Sequence, residues 1–211
     1  MERVVVPEIL DSLPADDPEA RRSRADLRVV DAFLGNSRWI LRRLRADGNV
    51  RGGVVELGAG EGNLCRRVFR EFPGASVTGL DLCPRPAGIP DGVGWVRGDF
   101  FGALPAAGGV CMGSLVLHHF GEEALANLGA RLVGFSSLVF SEPLRSRVPL
   151  WFSKVAAPVF GKVTRHDMAA SIRAGFVRGE LGRFLKLDRG RWKISEQATL
   201  RGSLRFHAVK L

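Results

Sequence analysis

The order of apolar and glycine-rich segments predicts an α/β chain with a doubly wound, mainly parallel sheet. Three observations support this. A short buried strand runs into a turn with three glycines, further apolar runs alternate with helical patterns, and two alternating segments lie near the end of the sequence. We expect seven strands with an antiparallel C-terminal element at one edge, and helices ahead of the first strand. At 211 residues, the chain has the length of one domain.

Helical spacing of apolar residues dominates positions 8–47, ahead of the first strand. The run Asp16-Asp17-Pro18-Glu19 is a good helix start, because proline fits the first turn and acids suit its positive end. Gly35-Asn36 interrupts the pattern. We therefore expect two helices that end near residue 47 and form a helical cap over 8–47.

The strands are predicted from apolar runs bounded by glycine, proline or polar residues. We place them at 53–57, 75–80, 93–97, 109–114 and 138–141 (the last starting as early as 134), with a terminal antiparallel pair at 192–200 and 203–209. Helices are expected over 61–71, 120–131, 166–174 and 180–187. The links 82–92 and 99–108 are too rich in proline and glycine for full helices, so that side of the sheet should be thinly covered. A core over 52–209 would then carry an apolar insert at 143–165.

The most specific motif is the turn after the first strand, Glu56-Leu57-Gly58-Ala59-Gly60-Glu61-Gly62. Glycine permits a tight turn and lets a ligand approach the main chain. The glycines stand at alternate positions, whereas a dinucleotide fingerprint needs the third glycine one position later. Nineteen residues after Gly62, the second apolar run ends in Asp81. A carboxylate at the end of the second strand can accept both hydroxyls of a ribose.

This tight Glu-x-Gly-x-Gly-x-Gly form resembles motif I of the class I S-adenosylmethionine-dependent methyltransferases, which share a Rossmann-like fold. Gly98-Asp99-Phe100 resembles their Gly-Asp-x motif, whose acid holds the adenine amino group and whose next residue covers the ring. The resemblance covers residues 52–209 and implies S-adenosylmethionine as the cofactor. The cofactor-binding residues it implies are Glu56, Gly58, Ala59, Gly60, Gly62, Asp81, Leu82, Asp99, Phe100 and Leu115.

The segment after the fourth strand, Ser114-Leu115-Val116-Leu117-His118-His119-Phe120, is similar to the Leu-His-His segment of many small-molecule methyltransferases. These belong to the branch that resembles the ubiquinone and menaquinone methylases. The resemblance implies transfer of a methyl group to oxygen or carbon of a small, apolar acceptor such as a quinone, a phenol or a polyketide-like molecule. One departure is Gly108-Gly109, where the family often carries Asp at the start of this strand.

The same segment argues against three other classes of methyltransferase. Base-amino methylases place an Asn/Asp-Pro-Pro-aromatic motif where this chain reads Ser-Leu-Val-Leu. Protein arginine methylases carry paired glutamates there, whereas Glu122 and Glu123 lie in the following helix, where we expect exposed first-turn acids. Catechol-type enzymes need acidic metal ligands after strands four and five, and Glu142 is the acid that stands there. We therefore expect a site without a metal.

Transfer to a hydroxyl or an acidic carbon requires a group that removes a proton. His118 and Glu142 stand at the carboxyl ends of strands four and five, where open α/β sheets bind ligands. We interpret them as a base and its orienting partner, with His166 as a third catalytic candidate. Two plainer alternatives stay open. One of the adjacent histidines only packs under the sheet, or Thr164 or Asp167 caps a helix and His166 lies at the surface.

Substrate contacts are predicted around the same edge of the sheet. The candidates are His119, Trp151, Phe152 and Arg165. The insert has more large apolar side chains than a surface connection needs, so part of it either walls an acceptor pocket or packs as an extension of the core. Arg145 and Arg147 either grip an acidic substrate or are exposed loop arginines.

The formal net charge is +9, which can indicate a nucleic-acid partner. The basic residues are scattered among acids, so we do not expect one, although an RNA or protein methyltransferase, or a cofactor-binding protein without catalysis, stays open. Three cysteines without paired spacing fit a reducing, cytoplasmic location. The N-terminus lacks the pattern of a signal peptide, and no apolar run approaches the roughly 18 residues of a membrane span. We expect a monomer or homodimer.

Overall fold

The computed structural model describes residues 1–14 and 16–211. Its strands are β1 (Val54–Leu57), β2 (Val77–Asp81), β3 (Val93–Arg97), β4 (Gly108–Ser114), β5 (Phe135–Pro143), β6 (Trp192–Ala198) and β7 (Ser203–Lys210). They form a seven-stranded sheet in the order β3-β2-β1-β4-β5-β7-β6. Strands β1 to β5 run parallel, and β7 lies antiparallel between β5 and β6. This confirms the predicted seven-stranded, doubly wound sheet.

The helices lie on both faces of the sheet and at its carboxyl edge. They are α1 (Ile9–Ser12), α2 (Pro18–Leu34), α3 (Asn36–Asp47), α4 (Asn63–Glu71), α5 (Phe100–Ala103), α6 (Glu122–Leu132), α7 (Arg147–Ala156), α8 (Lys162–Ala174) and α9 (Glu180–Phe184). Short 3-10 turns cover Asn49–Gly52, Leu117–His119 and Ala157–Val159.

The N-terminal region contains three helices where the sequence predicted two, because a short helix, α1, precedes the predicted start. That start is correct for α2, since Asp17 Oδ1 accepts the backbone N–H groups of Glu19 (2.7 Å) and Ala20 (3.3 Å). Helix α8 begins at Lys162, four residues before the predicted position. Its N-cap is Gly161, whose N–H is held by Asp26 Oδ2 at 2.9 Å. This contact joins α8 to α2, and sequence periodicity does not reveal it.

Two hydrophobic clusters sandwich the sheet, as a doubly wound fold requires. One cluster packs α6 and α9 against the sheet, and the other packs α3 and α4 against the opposite face. Strand β3 lies at the edge, and its burial pattern leaves Gly94, Val96 and Arg97 exposed. The links beside it hold no helix longer than the four residues of α5 within the described ranges, so the predicted thin cover of this side is confirmed.

The departure at Gly108-Gly109 has a packing reason. A Cβ built on Gly109 would lie 2.1 Å from the carbonyl oxygen of Asn49 and 2.8 Å from that of Gly53. The backbone that leads into β1 therefore crosses directly over the start of β4. Glycine is needed there because any side chain would push the two strands apart.

The carboxyl edge of the sheet is covered by the N-terminal segment together with α7 and α8. Helix α8 packs against α1, α2 and α7. Asp167 on α8 accepts the backbone N–H groups of Ile9 (2.9 Å) and Leu10 (3.0 Å). A cap therefore lies over the ends of β4 and β5. In the part of the chain that the structure describes, no helix combines the length and apolar character needed to cross a membrane.

Candidate active site

The glycine turn and Asp81 meet at the carboxyl ends of β1 and β2. Gly58, Gly60 and Gly62 all have positive φ, at 62°, 53° and 68°. This backbone lets the N–H of Gly60 reach Asp81 Oδ2 at 2.7 Å, while the N–H of Cys83 reaches Oδ1 at 2.8 Å. One backbone donor therefore orients each carboxylate oxygen. A carboxylate oxygen has a second lone pair, so both remain able to accept a ligand hydroxyl.

The three glycines are not equivalent. A Cβ on Gly58 would lie 2.6 Å from Val116 Cγ2, and one on Gly62 would lie 2.2 Å from Ile89 Cδ1. A Cβ on Gly60 would meet nothing within 4 Å. Protein packing therefore uses the space beside Gly58 and Gly62, whereas the space beside Gly60 is open to a ligand.

Glu56, at the end of β1, is a buried carboxyl with a thiol as its neighbour. The Sγ of Cys65 lies 2.8 Å from Glu56 Oε2. Burial raises the pKa of Glu56 to about 8, although the hydrogen bond from Cys65 acts in the opposite direction. A buried acid of this kind favours a positively charged partner, because a cation would stabilise its ionised form.

Asp99 and Phe100, which the resemblance places at the adenine end, follow β3, and the cofactor candidate Leu82 follows β2. Asp99 is the N-cap of α5 and accepts the N–H of Phe101 at 2.9 Å. Phe100 is 7% exposed and packs against Phe101 and Phe120. Leu82, in contrast, is 71% exposed.

Leu115, directly after β4, has an unusual backbone. Its φ is +57°, in the left-handed region that non-glycine residues avoid, and its N–H bonds the carbonyl oxygen of Ser141 at 2.9 Å. Such a conformation costs roughly 1–2 kcal/mol. Strained backbone of this type concentrates at binding sites.

Glu142 organises the Leu-His-His turn. Its Oε1 accepts the N–H groups of Val116 (3.1 Å) and Leu117 (3.0 Å), and its Oε2 accepts the N–H of His118 (3.3 Å). Nδ1 of His118 lies 2.9 Å from the same Oε2. Glu142 has no exposed surface. The carboxylate therefore fixes both the turn and the orientation of the imidazole.

The other side of the His118 ring faces the N-terminal segment. Nε2 of His118 lies 3.4 Å from Glu8 Oε1, and Ser171 Oγ also donates to Glu8 Oε1. Burial opposes the charged imidazolium, but the hydrogen bond to Glu142 and the charges of Glu142 and Glu8 outweigh it and raise the pKa of His118 to about 9. His118 is thus held between two carboxylates.

His119 and His166 extend this polar cluster. Nδ1 of His119 lies 3.4 Å from Asp11 Oδ2, and the rings of His118 and His119 are 4.2 Å apart. His166 is exposed on α8, with Nδ1 2.9 Å from Asp167 Oδ1. Neither Thr164 nor Asp167 caps α8, because the helix begins before both. The structure therefore brings His118, His119 and Glu142 together, with His166 on the overlying helix.

Two acids of this cluster, Glu8 and Asp11, were missed by the sequence analysis. They lie more than 100 residues from the histidines in a segment whose pattern indicated only a helix. Their only sequence signal is that they are acids placed shortly before the helix start at 16–19, and this signal does not indicate contact with the histidines.

The insert at 143–165 leaves much of its apolar surface uncovered. Trp151 and Phe152, which pack edge to face, are 60% and 55% exposed, and Val148, Val155 and Val159 are also exposed. These side chains are therefore not an ordinary extension of the core. Arg165 is exposed on α8.

Arg145 corrects a sequence expectation. It is buried, not exposed, because its guanidinium donates to the carbonyl oxygens of Gly175 and Met1 and pairs with Glu180. It is therefore committed to protein groups and does not reach a substrate. Arg147 is exposed, as the plainer alternative predicted. Glu122 and Glu123 are exposed in the first turn of α6, also as predicted.

Comparison with known proteins finds neither a protein-family profile nor a curated protein that matches this chain. Solved structures do match. The plantazolicin methyltransferase BamL, in complex with a triazolic desmethylPZN analog and SAH, has a TM-score of 0.70 at 9% identity, over 95% of this chain and 92% of that one. The plantazolicin methyltransferase BpumL, with a triazolic desmethylPZN analog and SAH, has a TM-score of 0.68 at 13% identity, over 92% of both chains.

Human N-acetylserotonin methyltransferase in complex with SAM has a TM-score of 0.60 at 17% identity. The match covers 95% of this chain and 61% of that protein. At these identities the comparisons establish the fold. It is the fold of solved methyltransferases that were crystallised with SAM or SAH.

Proposed function

We propose that the chain is an S-adenosylmethionine-dependent methyltransferase that acts on oxygen or carbon of a small, apolar molecule. The observation that carries the proposal is the bond between the Gly60 N–H and Asp81 Oδ2 at 2.7 Å, beside open space above Gly60. It leaves an oriented carboxylate at the end of β2, next to a turn that a ligand can approach. The fold shared with methyltransferases bound to SAM or SAH supports the same conclusion.

The residues around this turn fit the proposed cofactor. Asp81 offers two oriented oxygens for ribose hydroxyls. Glu56 offers a buried carboxyl that a positively charged amino group would stabilise, and Gly58 and Gly60 line the path between them. Asp99 and Phe100 are proposed for the adenine end, together with Leu82 and Leu115, and Ala59 and Gly62 complete the turn. When bound, the cofactor supplies an electrophilic methyl carbon on a sulfonium.

The acceptor is proposed to bind below the cap, between the Leu-His-His turn and α7. His118 is the proposed catalytic residue, with Glu142 fixing its orientation, and His166 is the alternative on the overlying helix. Proton removal by His118 requires an unprotonated Nε2 that faces the acceptor in place of Glu8. Glu8 helps to raise the pKa of His118, so withdrawal of the N-terminal segment would lower that pKa and also free Nε2; this movement is part of the proposal. The exposed apolar face of Trp151 and Phe152 supports an apolar acceptor such as a quinone, phenol or polyketide-like molecule. His119 and Arg165 are the other proposed substrate contacts.

A second candidate function, methylation of an anionic polymer such as RNA, has one specific observation in its favour. A cavity of about 390 Å³ between α3, α4 and the β6–β7 turn is lined by six arginines and one acid. The charged lining residues are Arg38, Arg42, Arg45, Arg67, Arg201, Arg205 and Glu71. Binding to such a polymer would weaken steeply with salt, whereas binding of a small apolar acceptor would not.

Calorimetry with SAM and with its demethylated product tests the cofactor proposal directly. One binding site for each is expected, and no heat of binding with the folded protein would overturn it. A thermal-shift screen with quinones, phenols and acyl compounds, run with the product bound, then tests the acceptor class. Cofactor binding without turnover of any acceptor would instead favour a binding protein without catalysis.

A further inference from the structure

The N-terminal segment brings a carboxylate to two histidines at the acceptor end. Glu8, His118 and His119 each offer one ligand atom, and these three atoms all lie within 4.8 Å of one another. We propose that Glu8, His118 and His119 form a binding site for a divalent transition-metal ion, with Zn²⁺ as the best match. This inference rests on the proposed function, because the ion would act on the acceptor of that reaction.

The separation between His118 and Glu8 fits a metal better than a direct hydrogen bond. Nε2 of His118 and Oε1 of Glu8 are 3.4 Å apart, beyond the usual length of an N–H···O bond. Two ligands at about 2.1 Å from a tetrahedral Zn²⁺ are themselves about 3.4 Å apart. Two imidazoles and one carboxylate are also a known ligand set of catalytic zinc, which keeps a position open.

The surroundings of the histidines supply a second, independent observation. A histidine that binds a metal through one nitrogen usually gives the other N–H to a carboxylate, which fixes the ring. Nδ1 of His118 lies 2.9 Å from Glu142 Oε2, and Glu142 is itself held by three backbone N–H groups. Nδ1 of His119 lies 3.4 Å from Asp11 Oδ2, a charge contact that is longer than a usual hydrogen bond. The His118 ring therefore has an orienting carboxylate, and the His119 ring has a carboxylate nearby.

The charge of the cluster also suits a cation. Glu8, Asp11 and Glu142 place three carboxylates around two imidazoles. Arg3 reaches the same turn, but its guanidinium donates to the carbonyl oxygens of His118 (3.2 Å) and Phe120 (2.8 Å). The positive charge of a divalent ion would therefore be balanced mainly by carboxylates that already face the histidines.

A metal here would define the acceptor more closely. The open coordination position would bind an oxygen of the acceptor, and a bound cation lowers the pKa of such a hydroxyl. His118 would then bind the ion, and the hydroxyl, made more acidic by the cation, would release its proton to solvent water before the methyl group is transferred to its oxygen. The proposal departs from the metal-free site expected from the sequence. That expectation considered only acids after β4 and β5, whereas Glu8 arrives from the N-terminal segment.

The test uses the full chain, treated with a chelator and then titrated with Zn²⁺ and with Co²⁺. We expect one equivalent of either ion to bind, and the Co²⁺ form to show the visible absorption of a tetrahedral or five-coordinate N/O site. Glu8→Gln and His119→Gln should abolish this binding. Glu142→Gln should lower the metal affinity about 10-fold to 100-fold, because it orients a ligand without touching the ion.

His166→Gln is the matched control, since His166 is also paired with a carboxylate near this edge but is not part of the three-residue group. It should keep the full equivalent of metal. Absence of stoichiometric binding to the wild-type chain would overturn the proposal, and so would equal losses in His166→Gln and His119→Gln. Circular dichroism and melting of each variant separate loss of ligand from loss of fold, and His119, which is partly exposed, is the variant with the least structural risk.

Cofactor titrations distinguish this proposal from the function on which it rests. If SAH binds with chelator present while metal does not bind, only the metal site fails. If metal binds but neither SAM nor SAH does, the metal site stands and the proposed methyltransferase function fails.

Discussion

Glu142 holds His118 at two points, through the backbone N–H at 3.3 Å and through Nδ1 at 2.9 Å, both on the same carboxylate oxygen. The end of β5 therefore sets the position and the orientation of a side chain that follows β4. Because Glu142 is fully buried and also holds the N–H groups of Val116 and Leu117, the turn and the ring respond together to any change in this carboxylate.

Replacement of His118 should separate chemistry from cofactor binding. We expect His118→Ala to leave the affinity for SAM almost unchanged but to lower turnover about 100-fold or more if His118 removes the proton. Glu142→Gln should reduce turnover less, because the ring stays in place with poorer orientation. Single-turnover rates measure both. Rates equal to the wild type in both variants would mean that His118 and Glu142 only pack in the structure. His166 would then be the remaining candidate for the base.

Removal of the Asp81 carboxylate should weaken cofactor binding. Asp81→Ala removes two charged acceptors for the ribose hydroxyls, each worth about 1.5–3 kcal/mol, so affinity should fall at least about tenfold. Calorimetry with SAM gives the dissociation constant. Asp91→Ala, an exposed acid in the following link, is the control and should bind like the wild type. Unchanged binding by Asp81→Ala would contradict the assignment of the ribose site.

The buried carboxyl of Glu56 should make stability depend on pH. Its pKa is about 8 in the folded chain, against 4.5 for an ordinary glutamate. The folded state therefore keeps a proton that the unfolded state loses, so the free energy of unfolding falls as pH rises from 4.5 towards 8. Glu56→Gln should lack this fall, which is on the order of 5 kcal/mol at full shift.

Urea unfolding of both proteins at about pH 5 and about pH 8 measures the difference. The wild type should lose stability relative to Glu56→Gln on going to the higher pH. Parallel curves for the two proteins would show that Glu56 is ionised in the folded chain at both pH values.

The exposed apolar face of α7 should contribute to acceptor binding and not to the stability of the fold. Since Trp151 and Phe152 are more than half exposed, their replacement by alanine should leave the melting temperature nearly unchanged. Each variant should raise the KM for the acceptor, while the SAM affinity stays within about twofold. A lower melting temperature with unchanged kinetic constants would instead mean that this face only packs against the protein.

The parts of the structure that could be predicted from sequence are those made by neighbouring residues. The turn from Gly58 to Gly62 carries its own conformational requirement, since all three glycines have positive φ. Asp81 follows at the end of the next strand, and parallel strands bring their carboxyl ends together. The doubly wound, mainly parallel sheet, the position of Asp81 at the end of β2 and the position of the Leu-His-His turn after β4 were therefore accessible from local patterns.

The contacts that were missed join distant segments. Arg145 is buried because Glu180 and the carbonyl oxygens of Gly175 and Met1 surround it, and no local pattern indicates this. Glu8 reaches His118 across 110 positions and Ser171 across 163. Such pairings depend on how the cap closes over the sheet, which periodicity and spacing do not specify.

The long reach of Glu8 has a consequence for the order in which the chain is made. The bond between Gly60 and Asp81 spans 21 positions, so its two partners leave the ribosome close together. The segment around Glu8 must wait for α8, because its partners Asp167, Ser171 and Arg173 are synthesised more than about 150 residues later. Closing so long a loop costs more chain entropy than closing a short one. A nascent chain arrested before α8 would therefore contain both Gly60 and Asp81. Its first residues would still lack α8, the helix that holds them in the folded chain.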